Sequence, residues 1–430
     1  MRISKSFSFE DLSLLKTQLL HWAQQFEEII WLDSNSYPNK TKGKYEALLA
    51  VDAFTVLKTD TPEAFDKLEE YQNHTKDWLF GYLTYDLKND VEHLSSKNTD
   101  HVHFPDLYFF QPKKLIRIFD NKIYFDYLNL VADEIDDDFT AILEEVIYDE
   151  KTTTKTPKIK LRISKDTYKQ KVALVKEHIA KGDIYEVNFC QEFYAENYDI
   201  NPLPTYKALN QLSKPPMASF LKIEGLYALC ASPERYITKE GNLITSQPIK
   251  GTAKRSKNNT EDRSLAENLK NNAKEQSENI TIVDLVRNDL SKTALKGSVQ
   301  VNELCKVYSF EQVHQMISTI SSRIDENLSP VQVLKTTFPM GSMTGAPKIS
   351  AMNIIEDLES TKRGLYSGSI GYFTPEGDFD FNVVIRSILY NASKQYISLS
   401  VGGAITHKSN INAEYEECLL KVKALREVLE

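Results

Sequence analysis

The chain has 430 residues, with 61 acidic side chains against 52 basic ones and a formal charge of −9 at neutral pH. That length allows roughly two or three domains or one large sheet-rich body, and 41% apolar residues with 10% aromatics exclude wholesale disorder. The acidic balance argues against binding nucleic acid by phosphate neutralisation, and no run approaches the roughly 18 apolar residues of a membrane-spanning helix. The opening residues lack the apolar stretch of a signal peptide. Cys190, Cys230, Cys305 and Cys418 are far apart and show no CxxC spacing. The expectation is therefore a cytoplasmic protein with reduced, packed thiols and no structural metal site.

Taken in chain order, residues 1–150 read as alternating helices and strands, and this N-terminal region holds Trp22, Trp31 and Trp78, an aromatic core of its own. His101 and His103 fall on one face of an expected strand. The polar stretch 149–157 has no apolar periodicity and is the expected connection to a second region, 160–430. There Ser164 caps a helix carrying Tyr168, Val172, Val175 and Ile179 on one face, and Gly182 ends it. Strands are expected at 218–223 and 227–231, then a hairpin turning at Glu240-Gly-Asn242. Helices over 261–276, 347–358 and 412–429 follow, with a meander of 367–374, 379–390 and 396–404. Hairpins outnumber βαβ units, which points to an α+β fold of antiparallel sheets with helices packed outside.

Two carboxylate pairs stand out. Glu275 and Glu278, and again Glu414 and Glu417, are three residues apart on expected helices, so each pair shares one helical face. Two such faces brought together would suit Mg²⁺; the same spacing also suits solvated helix surfaces. Lys250, in Ser246-Gln-Pro-Ile-Lys-Gly-Thr252, follows a strand and precedes a glycine that permits close approach of a ligand. Such a lysine is a candidate nucleophile if buried and a solvated charge if not. Glu234, in Ser232-Pro-Glu-Arg235, is a candidate general acid or a surface partner of Arg235. Thr344 and Gly345 precede a helix near Pro347 whose first amides suit a carboxylate or a hydroxyl. Arg386, placed on an expected strand, suits bidentate carboxylate binding or a cross-strand salt bridge.

Read together and in order, the motifs are specific. They are Gly182-Asp-Ile-Tyr-Glu-Val-Asn188, Ser232-Pro-Glu-Arg235, Pro248-Ile-Lys-Gly-Thr252 and Glu278-Asn-Ile-Thr-Ile-Val-Asp-Leu-Val-Arg-Asn-Asp289. His314-Gln-Met-Ile-Ser-Thr319, Thr344-Gly-Ala-Pro-Lys348, Arg363-Gly-Leu-Tyr-Ser-Gly-Ser-Ile-Gly-Tyr372, Gly402-Gly-Ala404 and Ala413-Glu-Tyr-Glu-Glu417 follow. The chain resembles the chorismate-utilising enzymes, and within them the aminodeoxychorismate synthase component I group, strongly over 164–430. The N-terminal region is similar more loosely, in Trp31-Leu-Asp-Ser34 and Leu79-Phe-Gly-Tyr82.

The resemblance implies two large stacked antiparallel sheets with outer helices and a cleft between them. It implies Mg²⁺ held by Glu278 and Glu417, with Glu275 and Glu414 supporting through water. It also implies substrate contacts from Gly251, Thr252, Thr344, Tyr366, Arg386, Gly402, Gly403, Ala404 and Lys421, and places His314 near a departing 4-hydroxyl. Lys250 stands where anthranilate synthases typically have alanine, and the implied role is nucleophile toward chorismate, with Glu234 as acid. Glu186 stands where isochorismate and salicylate synthases typically carry a water-activating lysine, which disfavours hydroxylation at C2. The implied activity is amination of chorismate at C4 for 4-aminobenzoate and folate. No Gly-x-Cys-x-Gly elbow is present, so ammonia is expected from a separate glutamine amidotransferase subunit. Ser34 with Pro215-Pro-Met217 partly resembles the family's tryptophan pocket. The competing readings are an anthranilate synthase component I with an unusual lysine, a silent chorismate- or tryptophan-binding regulator, and a metal-dependent carboxylate-binding module.

Overall fold

The protein is described from a computed structural model, which covers residues 1–37, 45–147 and 156–430. Residues 149–155 of the expected connection lie outside the described residues. Every pairing between the named strands is antiparallel.

Two sheets share one long ribbon, the pair Ala47–Thr59 and Leu107–Phe119. Past a register shift between Ala53 and Thr55, the two halves of this ribbon serve different sheets. One half continues through Ile29–Asp33, Met217–Ile223, Leu226–Ser232, Ser387–Asn391, Tyr396–Thr406 and Glu186–Glu196. The other continues through Leu79–Leu83, Ser369–Phe373, Phe379–Asn382, Arg235–Glu240, Leu243–Ser246 and Val313–Arg323. Ile249–Lys254 and Gln300–Ser309 flank that last strand.

Alternation of apolar side chains explains why the first sheet is covered on both faces. Ile30 enters one core while Ile29 and Trp31 enter the other, and Leu48 and Ala50 alternate with Leu49 and Val51 in the same way. One core joins the two sheets to each other and to helices Ala64–Thr75, Ala273–Ser291 and Pro330–Thr337. The second lies under helices Leu12–Ala23, Lys165–Lys181, Pro202–Ser213, Lys348–Leu358 and Ile411–Glu427. The stacked sheets and outer helices match the expectation.

Strands from both ends of the chain interleave: Ile29–Asp33 pairs with Met217–Ile223, and Leu79–Leu83 with Ser369–Phe373. The tryptophans accordingly do not form one N-terminal core. Trp22 and Trp31 belong to the helix-side core and Trp78 to the inter-sheet core, 5.6 Å from Tyr372 between ring centroids.

Three elements differ from expectation. The helix expected over 261–276 is two helices, Asn259–Lys270 and Ala273–Ser291, because Asn272 caps the second by accepting from the Lys274 and Glu275 amides. The strand expected over 379–390 is also two strands, one in each sheet; residues 383–386 cross between them, and Arg386 is left-handed, with φ +54°. His101 and His103 lie in an irregular segment, with His103 at φ +66°, instead of on a strand.

Candidate active site

The crossover residues 383–386, the strand Ile249–Lys254 and the N-terminal halves of two capped helices bring charged side chains within electrostatic reach of one another: Lys250 with Glu278, and Glu417 with Lys250, Lys274 and Arg386. Asn272 caps the helix bearing Glu275 and Glu278, and Asn410 caps the helix bearing Glu414 and Glu417. Glu275 and Glu414 lie in the first turns, where a carboxylate faces the positive end of the helix dipole, and Glu278 and Glu417 lie one turn further on. Gly251, at φ +88°, lets its strand approach closely: a Cβ there would lie 3.0 Å from Glu275 Oε2. At Gly403 a Cβ would meet Glu414 Oε2 at 3.4 Å.

Lys250 is nearly buried, and its Nζ lies 3.2 Å from Glu186 Oε1. Burial lowers the lysine pKa, but the carboxylates of Glu186, Glu278 and Glu234 outweigh it and the net shift is upward. The resting side chain is therefore an ammonium, which must give up a proton before it can act as a nucleophile. Glu234 is fully enclosed, and burial pushes its carboxyl up to about 7 against the pull of a Ser342 hydrogen bond and Lys250. It does not pair with Arg235, which instead forms a two-pronged pair with Asp380 at 2.8 and 3.1 Å. A carboxyl titrating near neutrality beside a buried lysine is suited to proton donation.

The four glutamates surround an ammonium. Lys274 Nζ is 3.6 Å from Glu278 Oε1 and 3.4 Å from Glu414 Oε1. Desolvation raises the Glu278 carboxyl to about 7 despite Lys250 and Lys274. Desolvation also raises Glu275. Burial would raise Glu417 too, but Lys421 at 2.7 Å outweighs it and holds that carboxyl below the usual range. Lys421 also donates to Gly402 O at 2.8 Å. No three His, Cys, Asp or Glu side chains among the described residues converge into a ready metal site. The donor set still fits a hard divalent cation. It is all oxygen, Glu278 Oε1 is buried and accepts no hydrogen bond, and a cation already stands among the carboxylates.

The remaining expected residues divide into two groups. Arg386 makes no side-chain hydrogen bond or ion pair among the described residues, and burial lowers its pKa. Gly402, Gly403 and Ala404 lie on Tyr396–Thr406, paired with Cys190, Phe189 and Asn188. Thr252 is exposed on its strand. Tyr366 is buried, with its hydroxyl 3.8 Å from Cys190 Sγ. Thr344 and His314 are committed elsewhere in this conformation. The Thr344 hydroxyl donates to the Met340 and Gly341 carbonyls. Both ring nitrogens of His314 are engaged, by Ser309 Oγ at 2.8 Å and Asp262 Oδ1 at 3.0 Å.

Sequence reasoning missed Lys274 altogether and took Glu186 only as a mark separating subfamilies. Lys274 stands four residues before Glu278, so the helical period places it on the same face. A second cavity between the sheets is lined by Ser34, Met217, Tyr45, Tyr372 and Asn382, among others. It gathers three of the residues noted for a tryptophan pocket, Ser34, Pro216 and Met217.

Residues 27–427 match the chorismate binding enzyme family. The chain belongs to that family. It is similar to aminodeoxychorismate synthase component 1 of Bacillus subtilis (strain 168), 31% identical over 88% of this chain and 80% of the relative. It is also similar to aminodeoxychorismate synthase component 1 of Escherichia coli (strain K12), 40% identical over 62% of this chain and 58% of that protein. Among solved structures, anthranilate synthase component I from Streptococcus pneumoniae TIGR4 superposes with a TM-score of 0.78 at 26% identity, covering 88% of this chain and 91% of that one. Among the described residues no helix is long and apolar enough to cross a membrane.

Proposed function

We propose that this protein aminates chorismate at C4 in the cytoplasm, giving 4-amino-4-deoxychorismate for 4-aminobenzoate and folate synthesis. Ammonia would come from a separate glutamine amidotransferase subunit. The observation that carries the reading is Lys250, a nearly buried ammonium 3.2 Å from Glu186 and within electrostatic reach of Glu278 and Glu234.

Chorismate is a dianion, and the unpartnered Arg386 guanidinium is suited to one of its carboxylates. Glu278 and Glu417 would hold Mg²⁺, with Glu275 and Glu414 behind them; when bound, the ion supplies positive charge for the ring carboxylate. Lys250 must lose a proton before it can attack, and Glu186 Oε1 is the acceptor within reach. The amine then bonds to C2, the two ring double bonds shift toward C4, and the 4-hydroxyl takes the Glu234 proton and leaves as water. Ammonia adds at C4, the double bonds return, and the C2–N bond breaks. Glu234 recovers its proton from the new ammonium, and Lys250 recovers its own from Glu186. The enolpyruvyl group is untouched, so a lyase must follow.

Product analysis tests this. The chain is incubated with chorismate, Mg²⁺ and ammonium, with and without an added aminodeoxychorismate lyase, beside Lys250→Ala. Release of 4-aminobenzoate only with the lyase, and loss of product in the variant, supports C4 amination. Anthranilate from the wild type overturns it in favour of the anthranilate synthase reading. We further propose that the Ser34–Met217 cavity takes tryptophan. Calorimetry with tryptophan on the wild type and on a Met217→Trp variant, which fills the cavity, tests that.

A further inference from the structure

The carboxylate cage already contains a cation, and it belongs to the chain. Lys274 springs from the first turn of the helix capped by Asn272, next to Glu275. Its ammonium lies 3.4 Å from Glu414 on the facing helix and 3.6 Å from Glu278 on its own, with Glu417 and Glu275 also acting on it. The Glu278 side chain is only 9% exposed, and the oxygen facing Lys274 accepts no hydrogen bond. At 3.6 Å the contact is Coulombic and leaves that oxygen coordinatively free. Lys421 does not do the same work, since it is tied to Glu417 on its own helix and to the Gly402 carbonyl. Lys250 faces Glu186. Lys274 therefore bridges the two carboxylate helices, and its side chain is 40% exposed, so its ammonium can withdraw into solvent without crossing the core.

We propose that Lys274 is the resident counter-ion of the carboxylate cage, and that a divalent cation enters by exchange, displacing its ammonium from Glu278 and Glu414. The proposal rests on reading the four glutamates as the metal's ligands. A magnesium ion sits about 2.1 Å from its oxygens, so an ammonium on the same Glu278 oxygen would be a like charge at close range. The two cations repel at that range, so the ion displaces the ammonium as it binds. The exchange has two consequences. Without metal, Lys274 keeps the carboxylates of two helices from repelling each other apart. With metal, the lysine must be displaced, so the cage binds a divalent ion more weakly than its carboxylates alone would.

The test compares wild type, Lys274→Gln and Lys274→Arg by calorimetric titration with Mg²⁺ in the absence of substrate, and by thermal unfolding in EDTA. Lys274→Gln is expected to bind Mg²⁺ about tenfold more tightly, to unfold at lower temperature in EDTA, and to regain stability as Mg²⁺ is added. Lys274→Arg keeps the charge and should stay near wild type. Equal or weaker Mg²⁺ affinity in Lys274→Gln overturns the exchange and leaves the metal reading standing. Absence of Mg²⁺ binding in wild type and variant alike overturns both. Acetylation of the wild-type protein by an amine-reactive reagent gives a readout that needs no variant. Labelling of Lys274 should rise when Mg²⁺ is added, and unchanged labelling overturns the displacement.

Discussion

Lys250→Met keeps the side-chain volume and removes its charge. Glu186 then stays behind with a side chain 3% exposed, one oxygen that had faced Lys250 at 3.2 Å and another with no hydrogen-bond partner. At that distance and an effective dielectric of about 20, the attraction between the two ions is about 5 kcal/mol. Desolvation of both ions offsets most of it, so the intact pair contributes little net stability. Removing one partner is different, because Glu186 keeps its desolvation penalty and loses the cation that compensated it. A cost of about 3–5 kcal/mol is expected. Removing the second charge as well, in Lys250→Met with Glu186→Gln, leaves two neutral side chains of similar shape and should recover most of the loss. The assay is urea unfolding at pH 8 in EDTA on wild type, both single variants and the double variant, read as a double-mutant cycle. Amination cannot discriminate here, since every variant lacking Lys250 is expected to be inactive. Unfolding of Lys250→Met at the wild-type midpoint would refute the reasoning, as would a double variant no more stable than that single variant.

Glu234→Gln should remove a pH slope from stability. The Glu234 carboxyl stands at about 7 in the folded protein against an ordinary 4.5, so its stabilising contribution is full below pH 4.5 and is lost as pH rises through 7. The stability of wild type relative to the variant should therefore fall by about 3 kcal/mol between pH 4 and 8, read from urea midpoints. Arg386→Met breaks no ion pair among the described residues, so the melting temperature should hold or rise. The KM for chorismate should meanwhile rise by about tenfold to a hundredfold, the worth of a charge-assisted hydrogen bond. Gly345→Ala would put a Cβ 2.2 Å from the Glu186 carbonyl oxygen and 2.9 Å from Val187 Cα, both backbone atoms. A loss of about 2–3 kcal/mol is expected in thermal or urea unfolding, and amination should fall with it because the clash bears on the residue that faces Lys250.

Local signals were the legible part of the fold. Ser164 and Gly182 bound the helix Lys165–Lys181 as expected, because a cap hydroxyl and a left-handed glycine act within a few residues of chain. The Asn272 cap was equally local, yet apolar periodicity running from one helix toward the next hid it. Arg386 was misplaced for a non-local reason. Residues 379–391 are apolar enough to read as one strand, but which sheet each half joins depends on strands more than a hundred residues away, Arg235–Glu240 and Leu226–Ser232. The bend at Arg386 exists because the chain changes sheets there.

Around the glutamates, spacing identified which carboxylates share a face but not which faces meet; only the resemblance joined the two pairs, and the folded helices bring them together around Lys274. Glu186 shows the converse limit. It opens a strand whose first eight residues are all buried, a setting from which unpaired carboxylates are normally excluded. Its partner is 64 residues further on, in another sheet. Neither residue is tolerable there alone: an isolated buried glutamate or lysine would bear the full desolvation penalty, and together they bear little. The identity of each is therefore explained by the other, and on the proposed chemistry Glu186 also gives the Lys250 proton somewhere to go.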